Sequence, residues 1–91
     1  MNRIHLVLYG SVQGVGFRYF TQRAARSAGV GAGWVRNRAD GAVELEAEAE
    51  PAALARFRDQ VTRGPAHARV ERVLEEPPSA GTLPTPFSIV R

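Results

Sequence analysis

Hydrophobic and polar positions alternate from Arg3 to Tyr9, with Ile4, Leu6 and Leu8 on one side and His5, Val7 and Tyr9 on the other. A period of two predicts a strand, and apolar residues on both sides place it in the interior of a sheet. Gly10 to Gly16 holds three glycines and breaks the pattern, so it reads as a loop. From Phe17 to Ala28 the period changes: Phe20, Ala24, Ala25 and Ala28 share a helical stripe while Arg23 and Arg26 face away, and Gly29 and Gly31 end the helix. Gly33 to Arg38 predicts a second strand, Asp40-Gly41 a hairpin turn, and Val43 to Glu48 a third strand with Glu44, Glu46 and Glu48 on a water-facing side. Pro51 suits the first turn of a second helix with Leu54, Phe57 and Val61 as its stripe, closed by Gly64-Pro65. Ala68 to Val73 predicts a fourth strand, Pro77 to Pro86 a connection, and Phe87 to Val90 a short last strand.

The order is βαββαβ with a terminal strand. Two split β-α-β units with right-handed crossovers predict a mixed, mostly antiparallel sheet with both helices on one face, a ferredoxin-like α+β sandwich. Ninety-one residues are expected to form one domain spanning 1–91. Many functions share this fold, so the site must decide between them.

Composition narrows the chemistry. Hydrophobic residues at 44% and charged residues at 23% describe an ordinary globular chain. No apolar run reaches the roughly 20 residues that cross a bilayer, and Met1-Asn2-Arg3 leads into alternation rather than a signal-peptide core, so a cytoplasmic protein without membrane association is expected. The absence of cysteine excludes disulfides, thiolate catalysis and zinc-thiolate sites. All 12 basic residues are arginine, and the net charge of +3 favours an anionic ligand without saying which.

The segment Gly10-Ser11-Val12-Gln13-Gly14-Val15-Gly16-Phe17-Arg18 joins the first strand to the first helix. Its glycines let successive amides turn inward as an anion nest, aided by the positive end of the helix. Arg18 is a cation where the helix dipole disfavours one by roughly 0.3–1 kcal/mol, a cost that a bound anion would offset. A flexible connector with an exposed arginine is an equally good reading of these residues alone. A P-loop is excluded by the lack of lysine, and the dinucleotide fingerprint by Tyr19 at its third glycine position. Asn37, before the hairpin turn, is a turn residue or a positioned amide, with the turn role favoured when it is taken alone. Arg36 and Arg38 read as solvated charges. His5 and His67 have no metal-ligand spacing and read as structural or exposed, and Tyr9, Phe17, Tyr19, Phe20, Trp34, Phe57 and Phe87 as core.

Gly10 through Arg18 resembles the acylphosphatase signature, and Gly33 through Glu44 its second signature. The similarity extends to Gly64-Pro65, Ala68-Arg69-Val70-Glu71 and Phe87 to Arg91. Ala47 to Glu50 is more acidic than is usual there, and Thr82 to Pro86 is proline-rich. The resemblance implies hydrolysis of acyl phosphates to carboxylate and inorganic phosphate. Arg18 would bind the phosphate, the backbone amides of Gly14, Val15, Gly16, Phe17 and Arg18 would cradle its oxygens, and Asn37 would orient the attacking water. It implies no metal, no cofactor and a monomer acting on small molecules. The chain also resembles the acylphosphatase-like domain of larger hydrogenase-maturation carbamoyltransferases. Two alternatives come from other classes: an anion sensor without turnover, and a module for single-stranded nucleic acid, which the glutamates of the third strand oppose.

Overall fold

The computed structural model describes residues 1–91. Strand β1 (Asn2–Ser11) carries the first alternation and pairs on both edges, antiparallel to β3 (Val43–Ala49) and to β4 (Arg69–Glu75). Strand β2 (Ala32–Asn37) lies antiparallel to β3 and parallel to β5 (Ser88–Ile89), giving the order β4-β1-β3-β2-β5. This is the mixed sheet of the ferredoxin-like sandwich. Helix α1 (Phe17–Ala28) ends at Gly29, and α2 (Pro51–Arg63) begins on Pro51, where a missing N–H breaks no helical bond.

Leu6, Leu8, Val35, Val43, Leu45 and Ala47 supply the sheet side of the core, met by Phe17, Ala24 and Ala25 of α1 and Leu54, Phe57 and Val61 of α2. Phe57 and Phe87 meet edge to face at 5.6 Å. The helices are also tied directly, by the Arg56 guanidinium donating to the Ala28 carbonyl at 3.0 Å.

Several boundaries move. Strand β1 runs on to Ser11, β4 runs from Arg69 to Glu75, and β5 keeps only two of the four expected residues. The buried stripe of α1 is Phe17, Thr21, Ala24, Ala25 and Ala28, with Phe20 only partly buried. Thr21 turns its hydroxyl to the Phe17 carbonyl at 2.9 Å, which satisfies it internally. Tyr19 is not core: it is 63% exposed.

The larger correction concerns the glutamates of β3. They were expected in water, yet Glu44 and Glu46 are buried, at 7% and 1% exposure, and Glu48 is partly so. The reason is a strap. The segment following β4 returns across the face of the sheet that carries no helices, and the carboxylates hold it. Glu46 accepts from the Ser79 amide at 2.6 Å and from its hydroxyl at 2.8 Å. Arg3 pairs with Glu48 at 2.9 Å and donates to the carbonyls of Ser79 and Gly81. The Gly33 amide donates to Pro84 at 2.9 Å. Glu44 takes His5 at 2.6 Å on one oxygen and Arg36 at 2.7 Å on the other. Arg36 and Arg38 are therefore partly buried ion-pair members rather than freely solvated charges.

Candidate active site

The loop after β1 owes its path to Gly14 and Gly16, at φ 76° and 77°. Both lie in the left-handed region, which costs glycine little and a side chain of L configuration about 1 kcal/mol or more. Gly16 is the N-cap of α1 and, having no side chain, caps nothing. No acidic residue occupies the first turn. The first bond of the helix runs from the Phe20 amide to the Gly16 carbonyl at 3.0 Å. The N–H groups of Gly14, Val15, Gly16, Phe17, Arg18 and Tyr19 thus have no acceptor within the protein. Phe17 is buried and Val15 partly so, which anchors this stretch while leaving its amides free.

Arg18 sits in the same turn. The ion pairs of this protein engage Arg3, Arg36, Arg38, Arg58 and Arg63. Arg56 serves the α1 terminus, and Arg72 lies over the Tyr9 ring at 4.5 Å. Arg23, Arg26, Arg69 and Arg91 are unpaired and exposed. Arg18 alone is partly buried with neither a carboxylate nor a carbonyl partner. A guanidinium withdrawn from water without a protein partner, beside a run of free amides at a helix N-terminus, is a ready anion site.

Asn37 is the last residue of β2, partly buried, and its side-chain amide has no protein partner. Pairing sets Asn37 opposite Val43, and Val43 opposite Leu8, so Asn37 lies at the end of the sheet where β1 gives way to the glycine loop. It is two residues on from the core residue Val35, which places it on the side of the sheet that the helices cover. No hydrogen bond joins Arg18 to Asn37 directly.

The turn beyond Asn37 is braced by its own residues. The Arg38 amide donates to Ala42 at 2.8 Å and the Gly41 amide to Arg38 at 3.2 Å. Asp40 accepts from the Ala42 amide at 3.1 Å and pairs with Arg38, also at 3.1 Å. The Ala42 amide is the main reason the Asp40 carboxyl titrates below its ordinary range, with partial desolvation opposing it and Arg38 adding to it. An open recess of about 430 Å³ is lined by Arg36, Asn37, Arg38, Ala39 and Asp40. Gln13, from the glycine loop, reaches this turn and donates to the carbonyls of Arg38 at 2.7 Å and Ala42 at 2.9 Å. Sequence reasoning assigned Gln13 no role. A polar side chain among glycines was the one signal it gave.

The fold and this loop define a class: ferredoxin-like α+β proteins with a glycine-bearing run of unpaired amides between the first strand and first helix. Comparison with known proteins is more specific. The acylphosphatase family model matches residues 4–89. The chain is 44% identical over 89 residues to an acylphosphatase of Pasteurella multocida (strain Pm70), covering 98% of each. It is 47% identical over 90 residues to one of Yersinia pseudotuberculosis serotype O:1b (strain IP 31758), covering 96% of this chain and 92% of that one. The crystal structure of acylphosphatase from Bacillus subtilis superposes with a TM-score of 0.85 at 41% identity, covering both chains fully. The chain belongs to the acylphosphatase family.

Proposed function

We propose that this protein hydrolyses acyl phosphates, holding the phosphate in the Gly14–Arg18 amides and on the Arg18 guanidinium and aiming a water with Asn37. The observation that carries this reading is the unpartnered, partly buried Arg18 at the head of a run of free amides. Family membership supports the same substrate class.

The chemistry asks for little else. Water oxygen forms a bond to phosphorus as the bond from phosphorus to the acyl oxygen breaks, and its electron pair leaves with the carboxylate. The conjugate acid of that leaving group has a pKa near about 4, so it departs at neutral pH without a general acid. In a loose transition state the charge lies on the phosphoryl oxygens, where amides and one guanidinium stabilise it. The neutral Asn37 carboxamide orients the water and takes no proton. A phosphoryl oxygen receives it, and carboxylate and inorganic phosphate are released. Every group invoked comes from one chain, so the monomer is the proposed unit, with no metal or cofactor in the reaction.

The test is phosphate release from benzoyl phosphate by purified protein, dialysed and assayed with a strong chelator. Turnover should persist undiminished. Activity that is lost and then restored by Mg²⁺ or Zn²⁺ would overturn the metal-free reading, and no turnover at all would overturn the reading as a whole.

A further inference from the structure

Gln13 points to a role that its neighbours do not cover. Its carboxamide nitrogen has two hydrogens, and both are used on one target: the carbonyls of Arg38 and Ala42, at 2.7 and 2.9 Å. Each of these oxygens already accepts a bond from within the turn, Ala42 from the Arg38 amide and Arg38 from the Gly41 amide. Gln13 therefore spans the mouth of the β2–β3 turn, one residue beyond Asn37. On its other side it is joined through one peptide to Gly14, the first residue of the proposed cradle. No other side-chain hydrogen bond links the loop of residues 12–16 to residues 37–42.

We infer that Gln13 is a positioning residue, fixing the distance between the phosphate cradle and the water-orienting Asn37. The inference rests on the function proposed above and names a further member of that site. Its physical basis is geometric. The cradle rides on α1, whereas Asn37 ends a strand that α1 reaches only across the core. In-line attack needs the water and the phosphorus aligned, and a displacement near 1 Å costs on the order of a hundredfold in rate. Two bonds of good length to fixed backbone oxygens supply that alignment. The cradle itself needs none of them, because its amides are set by Gly14, Gly16 and the helix.

This separates Gln13 from a merely structural residue. Gln13→Ala should lower kcat on benzoyl phosphate by about tenfold to a hundredfold, while inhibition by inorganic phosphate stays within about twofold of the parent, since binding to the cradle does not pass through the hairpin. The loss should also disappear in an Asn37→Ala background, where no aimed water remains to be misplaced. Gln13→Met, of similar length and without the donors, should reproduce Gln13→Ala with the packing preserved, and it keeps the test meaningful if the smaller side chain impairs folding. Parallel loss of kcat and phosphate affinity, or a Gln13→Ala factor that persists in full beside Asn37→Ala, would overturn the inference. So would parent-like kcat in a folded Gln13→Met. A parent that turns over and is silenced by Arg18→Ala, alongside an unimpaired Gln13→Met, would leave the proposed function standing and remove this inference alone.

Discussion

Arginine is the only basic side chain available besides histidine, and this protein puts it to three different uses. Arg36 and Arg38 neutralise carboxylates at the hairpin, Arg3 holds a returning segment, and Arg18 is held ready beside unfilled amides. Only the last stands to gain from an external anion. Under the proposed function, the same cation meets phosphate in the ground state and the charge that accumulates in the transition state. Arg18→Ala should therefore abolish measurable turnover, a loss on the order of 3 kcal/mol or more in transition-state stabilisation, and should raise the phosphate inhibition constant as well. Arg18→Lys should rescue poorly, because an ammonium is a point charge without the planar donor fork. The melting temperature should not fall in either variant, since Arg18 makes no bond within the protein. Near-parent turnover in Arg18→Ala would locate the site elsewhere.

Among the elements, the strap over the open face of the sheet illustrates what pattern reading can and cannot reach. Hydrophobic periodicity, of two in the strands and of a helical stripe in the helices, located the elements though not all of their boundaries, because it is a local property of the chain. It also assigned Glu44, Glu46 and Glu48 to a common side, correctly. Their partners lie elsewhere in the chain: Arg3, His5 and Arg36 come before them, and Ser79, some thirty positions later, supplies an amide and a hydroxyl to Glu46. No local period encodes that. Gln13 was illegible for the same reason: its partners lie on another turn. The shape of the glycine loop, by contrast, is set by its own residues and could be anticipated, although those residues alone left an anion nest and a flexible connector equally open. The strap yields an element-scale prediction. Glu46→Ala would remove the acceptor of the Ser79 amide and hydroxyl and leave a cavity where the buried Glu46 side chain stood, so unfolding free energy should drop by about 2–4 kcal/mol. Glu46→Gln keeps one acceptor and should lose about half as much or less. Urea unfolding of both variants checks this, and an Ala variant as stable as the parent would mean that the strap is held by Arg3 and Gly33 alone.

Across the whole molecule, the same strap brings a titratable network under cover, and stability should follow its protonation. Burial disfavours the charged form of His5, but its bond to Glu44, its contact with the Pro77 carbonyl and the charges of Glu44 and Glu46 outweigh that and raise its pKa above the ordinary 6.5. Burial likewise disfavours ionised Glu44, yet the bonds and charges of His5 and Arg36 lower its pKa below the ordinary 4.5. The signs then fix a window. A raised histidine contributes stability that is complete below about pH 6.5 and is lost as pH rises through its folded value. A lowered carboxylate contributes stability that is complete above about pH 4.5 and is lost as pH falls through its folded value. Both contributions coincide only between these limits, so the pair favours a mildly acidic optimum of stability. His5→Gln removes the upper limb: its unfolding free energy should be lower than the parent's near pH 6 and should approach it near pH 9, where the parent histidine has become neutral. Urea unfolding of the two proteins across that range is the measurement. Curves that stay parallel throughout would show that His5 titrates no differently in the folded chain than in the unfolded one, and the network would then be a matter of packing rather than of charge.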